Sequence, residues 1–146
     1  MIIIEGKIIE GESAASGIKM NWNGYGSIYH QFNYLKKKHP SFTEKFNNFE
    51  MATINVKLEK SLSICYWKYT FEKVFWLPHS DSWYEKLSFL PIKFIFNGEY
   101  IDALLYKAYK SPHKNNNFLL EIIAPHIKNL AYNQICNIQI KREYIE

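Results

Sequence analysis

The stretch LPIKFIFNGEYIDALL, residues Leu90–Leu105, holds two apolar-rich runs on either side of Asn97–Gly98. An Asn-Gly pair between two such runs is the strongest short hairpin signal, because a tight two-residue turn needs positive φ at both positions. Strands are expected over Leu87–Phe96 and Glu99–Lys107. A chain whose middle folds back on itself this tightly is building an antiparallel sheet.

Outward from the hairpin the chain is again mostly β. Strands are expected over Ile2–Glu10, Ile18–Trp22, Ala52–Leu58, Ser63–Phe71, Phe118–Ile123 and Ile135–Lys141. Ile28, Phe32 and Leu35 recur at helical spacing, which predicts a helix over Ser27–Lys38, with Ser27 as N-cap and Pro40 as its stop. A second, short helix is expected in PHIKNLAYN, opened by Pro125 in its first turn. GESAASG (Gly11–Gly17), NGYGS and SPHKNNN (Ser111–Asn117) read as loops and turns. There is no fixed-period repeat and no linker, so residues 1–146 form one domain. Roughly seven short strands and few helices point to a mainly β fold, a closed barrel rather than an open α/β sheet.

Composition narrows the function classes. Hydrophobic residues make up 47% of the 146, enough for a core. The net charge of +4 favours anionic ligands such as nucleotides but is too small to argue for nucleic acid as a partner. The dense basic run Lys36–His39 reads as a solvated helix end, with cations near the C-terminal dipole. Cys65 and Cys136 are far apart and form no C-x-x-C pair, so they read as free thiols in a reducing compartment. The start MIIIEGKIIEG is too short and too charged for a signal peptide or a membrane span. These features give the expectation of a cytoplasmic protein.

EMATINVKL, Glu50–Leu58, decides what chemistry to expect. Ile54, Val56 and Leu58 alternate with Thr53, Asn55 and Lys57, the period of a half-buried strand. One reading is a strand with a solvated polar face. The other notes two neutral oxygen donors, Thr53 and Asn55, two apart on one face, placed to hold a hard cation or a phosphate.

Three segments together resemble the archaeal-type CTP-dependent riboflavin kinases: IIEGKIIEG, ATINVKL, and LPIKFIFNGEYIDALL running on through LLEIIAPHIKNL to ICNIQIK. They cover most of the chain in the family's order. The resemblance implies a six-stranded barrel of the cradle-loop type with one or two short helices. It also implies transfer of the γ-phosphate of CTP to the riboflavin 5′-hydroxyl, giving FMN and CDP, with Mg²⁺ as cofactor. The family's metal-binding Thr and Asn match Thr53 and Asn55. Mg²⁺ takes oxygen ligands, completes its shell with water and phosphate, and neutralises the charge that develops during transfer. Glu121 matches the flavin-contacting glutamate, and a carboxylate there could orient the hydroxyl and accept its proton. Ser111 matches a flavin-touching threonine, with His113 competing for that place. His126, Ile127, Lys128 and Asn129 fall where the nucleotide-binding segment starts its helix, whose N–H groups hold phosphate. Glu121 and that helix start are expected to line the pocket of Thr53 and Asn55.

The first loop departs from the family. A glycine-rich, basic run is replaced by GESAASGIK, in which Gly11 and Gly17 survive, Ser13 and Ser16 stand among alanines, and Lys19 carries the charge. Only glycine lets a backbone crowd a phosphate, so these changes alter how a nucleotide would be covered. The segment from Asn21 to Met51 adds Trp22, Tyr25, Tyr29, Phe32 and Tyr34, and Trp67, Trp76 and Trp83 follow, readable as stacking or as core. His79 and Asp81 read as loop polarity. Three functions stay open: a Mg²⁺-dependent riboflavin kinase using CTP or another nucleotide; a non-catalytic barrel that binds a flavin or nucleotide as a sensor or interaction module; and a related enzyme with another acceptor.

Overall fold

A computed structural model describes residues 1–10, 27–77, 82–111 and 115–146. The elements in chain order are β1 Ile2–Ile9, α1 Ser27–Lys38, α2 Pro40–Glu44, β2 Ile54–Leu58, β3 Tyr69–Val74, β4 Glu85–Phe96, β5 Glu99–Ala108, β6 Leu119–Ile123 and β7 Ile135–Ile140. A 3-10 turn, Arg142–Tyr144, follows β7. All pairings are antiparallel. The order β4–β5–β6–β2–β1–β7 closes through a further β7–β4 pairing, so six strands form a barrel, and β3 extends it beside β4.

The hairpin forms as the sequence predicts. Asn97 and Gly98 have φ of 50° and 78°, and the ladder runs unbroken from Phe96–Glu99 to Leu87–Ala108. Gly6 on β1 has a different reason. A Cβ there would lie 2.3 Å from Val56 Cγ1, so only glycine lets β1 and β2 approach across the barrel wall.

β4 serves two neighbours along one edge. Its first half pairs with β3, ending at Phe89–Tyr69, and its second half pairs with β7, starting at Lys93–Gln139. Pro91 lies between these two ladders, and proline has no N–H to give to a neighbour. This corrects the strand expected over Ser63–Phe71: β3 begins only at Tyr69. Continued backwards along its register, β3 would bring Trp67 opposite Pro91. Residues 62–65 instead cross the barrel's end, where Leu62 N–H donates to Asn117 O and Cys65 N–H to Tyr144 O.

Two cores result. Inside the barrel, Ile8, Val56, Leu58, Leu90, Ile92, Phe94, Leu105, Leu120, Ile122 and Ile138 are buried together. Outside it, α1 and α2 cover β3 to β6: Ile28, Phe32, Leu35 and Phe42 pack on Leu87, Phe89, Leu104, Tyr106 and Ile123. Phe42 contacts Phe32, Tyr69, Phe71 and Phe89 with ring centroids 4.9–6.1 Å apart. Phe32 is thus a core residue and Trp67 packs on the barrel core, whereas Trp76 and Trp83 stack edge to face, 5.0 Å apart. Ser27 is the first residue of α1 rather than its cap. Pro40 ends α1 as expected and then opens α2, placed in its first turn where its missing N–H costs nothing. Lys36–Lys38 form the exposed last turn of α1.

The helix expected after Ala124 is absent. Residues 125–134 form turns, with Asn129 and Asn133 at φ of 67° and 70°. Two left-handed residues four apart interrupt any helix, and Asn133 N–H donates to Ile8 O, tying the segment to β1 instead. The strand expected over Ile18–Trp22 lies outside the described residues. Among the described residues no helix is long and apolar enough to cross a membrane.

Candidate functional site

A row of residues crosses the outer face of six neighbouring strands. Read through the registers, it runs Ile9, Asn55, Glu121, Tyr106, Phe89, Tyr69. The β2 alternation makes this possible: Val56 and Leu58 point into the barrel, so Asn55 points out. The β6 alternation does the same for Glu121, between inward Leu120 and Ile122. One end of the row lies under the helices among aromatic rings; the other opens towards a cavity.

That cavity is about 530 Å³ and is lined by Ile8, Ile9, Glu50, Thr53, Asn55, Pro125, His126, Ile127 and Tyr132, among others. Thr53 and Asn55 therefore share one cavity, as the two-residue spacing predicts. Thr53 lies just before β2 rather than inside it. Asn55 is only 7% exposed. The turn segment is held over the cavity by a Phe49–Pro125 bridge and by Glu50 N–H donating to Ala124 O. At the rim, His126 Nδ1 lies 2.7 Å from Glu50 Oε1.

Glu121 does not line this cavity. It borders a smaller one of about 100 Å³, with Trp67, Tyr106, Asn116 and Asn117. Its register partner on β2 is Asn55, which lines the larger cavity. Burial, and then the charge of Glu85, pushes its carboxyl up to about 7. Tyr106, the neighbour on the other flank, is pushed well above the ordinary phenol value by burial and by the charges of Glu121 and Glu85. Its hydroxyl donates to Gln31 Oε1 of α1 at 2.7 Å. Glu85, 3% exposed, accepts from Trp76 Nε1 and from Lys110 N–H; burial raises its carboxyl against the pull of these bonds.

The remaining expected site residues divide into three groups. His126 and Ile127 line the larger cavity; Lys128 and Asn129 do not, and both are exposed. With no helix in this segment, no helix N-terminus presents its N–H groups to a phosphate, which corrects that expectation. Ser111 closes a turn, its N–H bonded to Ala108 O, and lines neither cavity. Gly11, Ser13, Ser16, Gly17 and Lys19 lie outside the described residues, as do Trp22, Tyr25, His79, Asp81 and His113.

Sequence reasoning missed Gln31, Tyr106, Glu85 and Glu50. Gln31 carried a signal: it is a polar residue inside the apolar stripe of Ile28, Phe32 and Leu35, and it is 1% exposed. Glu85, in a run of aromatic and charged residues, carried none.

Among the described residues, no three His, Cys, Asp or Glu side chains gather as a metal-binding group. The donors at Thr53 and Asn55 are neutral oxygens, the kind Mg²⁺ accepts when nucleotide phosphates and water complete its shell. The same cavity also presents the Glu50 carboxylate and the His126 imidazole at its rim. No protein-family model matches the chain, and no curated protein matches it significantly.

Proposed function

We propose that the protein is a Mg²⁺-dependent phosphotransferase that moves the terminal phosphoryl group of CTP, or of another nucleoside triphosphate, onto the 5′-hydroxyl of riboflavin. The observation that carries this reading is the placement of Thr53 and Asn55 in one cavity, with Asn55 in register opposite Glu121. Thr53 and Asn55 would hold the ion, which supplies charge neutralisation on the phosphates when bound. Glu121 would orient the acceptor hydroxyl and take its proton. A carboxyl held near 7 is poised for that role, since a general base works best close to the operating pH. The free thiols Cys65 and Cys136 agree with a reducing compartment, and we place the reaction in the cytoplasm.

A second reading, a barrel that binds flavin or nucleotide without catalysis, is supported by the turns over residues 125–134, which remove a helix-based phosphate site. One experiment separates the two. Purified protein is incubated with riboflavin, Mg²⁺ and each of the four NTPs, and FMN is measured. Formation of FMN that stops on chelation is expected. Flavin binding by fluorescence without FMN from any NTP leaves the second reading, and neither binding nor FMN removes both.

A further inference from the structure

We propose that Gln31 is a positioning residue for Glu121: by accepting the hydrogen bond of the Tyr106 hydroxyl, it withholds that donor from the Glu121 carboxyl and leaves the carboxyl to the Asn55 side. This inference rests on the phosphotransferase reading above.

Tyr106 and Glu121 are directly opposite on β5 and β6. Such cross-strand neighbours have Cβ atoms about 5 Å apart, within easy reach of each other's polar groups. A phenol has a single proton to give. Here it goes to Gln31 Oε1, 2.7 Å away, at a site where Tyr106 is 7% and Gln31 1% exposed. A buried amide is costly without partners, and an apolar side chain would serve the packing of α1 beside Ile28, Phe32 and Leu35 equally well. What the glutamine adds is an acceptor aimed at this hydroxyl.

The consequence is specific. Without the acceptor, the Tyr106 hydroxyl turns to the carboxylate that stands directly across the strands, Glu121. A charge-assisted bond then holds the carboxylate on the aromatic side of the row, away from Asn55 and from the acceptor hydroxyl of the substrate. Gln31→Met keeps length and removes the acceptor. It is expected to lower kcat by about 10-fold to 100-fold, as misplacement of a reacting group does, with KM for riboflavin and nucleotide changed by less than about 3-fold. Adding Tyr106→Phe removes the freed hydroxyl, so the double variant is expected to recover kcat to within about 3-fold of wild type. Tyr106→Phe alone, which keeps the ring that fills the core, is expected to keep kcat near wild type.

The test is steady-state FMN formation by wild type, Q31M, Y106F and the double variant. Wild-type kcat in Q31M, no recovery in the double variant, or a loss in Y106F as deep as that of Glu121→Gln overturns the proposal while the phosphotransferase reading stands. If Q31M does not fold, Gln31→Leu, which also removes the acceptor, is read in its place with the matching Tyr106→Phe double variant. A wild-type protein that makes no FMN from any NTP overturns the reading and this inference together.

Discussion

Asn55 and Glu121 stand opposite each other across β2 and β6, one lining the larger cavity and the other flanked by Tyr106 and the helix-covered core. The pair joins a polar, open end of the sheet to an aromatic, closed one. Glu121 is the last charged group before the rings begin, and its proton affinity follows from that place.

The first prediction concerns stability and pH. Glu121 is raised from an ordinary 4.5 to about 7, so between those values the folded protein keeps a proton that the unfolded chain releases. The folded state binds more protons there, so stability falls as pH rises through the window and is level above it. The loss is on the order of 3 kcal/mol. Glu85 shifts in the same direction and steepens the fall. Urea unfolding should give a higher midpoint at about pH 5 than at about pH 8, and Glu121→Gln should remove much of the difference by stabilising the protein at the higher pH. Burial holds His30 below the ordinary imidazole value and works in the opposite direction, so the difference between wild type and Glu121→Gln is the test: a difference that does not change with pH would contradict the burial of Glu121.

The same substitution should lower FMN formation by about 100-fold, the usual scale for losing a general base. Riboflavin affinity, read by quenching of flavin fluorescence, should change much less. Equal losses in both would make Glu121 a binding residue only.

Thr53→Val and Asn55→Ala should act on the metal. Each is expected to raise the Mg²⁺ concentration for half-maximal activity by about 10-fold, because one of few protein ligands is lost. Thermal midpoints without Mg²⁺ should fall less for Thr53→Val, which is the more exposed position. An unchanged Mg²⁺ requirement in both variants would separate these residues from the ion.

Glu50 places a carboxylate at the cavity rim, hydrogen-bonded to His126. A negative charge there opposes phosphate. Glu50→Gln should tighten nucleotide binding by about 3-fold to 10-fold at low salt, with the gain shrinking as salt is added. Calorimetric titration at two ionic strengths checks it; weaker binding would mean that Glu50 acts through His126 rather than through its charge.

Gly6→Ala should destabilise the barrel by about 1–3 kcal/mol, the cost of forcing a methyl into a filled site. The added Cβ meets Val56 Cγ1 at 2.3 Å. Val56→Ala in the same chain should recover part of the loss, because the clash partner is a side chain. Chemical denaturation of both variants measures this, and additive losses would place the strain elsewhere.

Local rules were enough for the elements whose local pattern decides them. Asn97–Gly98 dictates a hairpin whatever surrounds it, and the spacing of Ile28, Phe32 and Leu35 dictates α1, because backbone φ and side-chain periodicity are properties of the chain itself. The alternation in Thr53–Leu58 likewise turned Asn55 to the outer face. Tertiary pairing decided the rest. Ser63–Lys68 is as apolar as a strand, but along the β3 register Trp67 would face Pro91 and Ser63–Cys65 would face Lys93–Ile95, which already pair with β7, so no ladder is open to it. The residues after Ala124 favour a helix by composition, but Asn133 bonds to Ile8 and the segment becomes a pair of turns. The row from Asn55 through Glu121 to Tyr106, and the Gln31 amide above it, join residues as distant as 31 and 121. Their register depends on how six strands close, and closure is a property of the whole sheet that no single stretch carries.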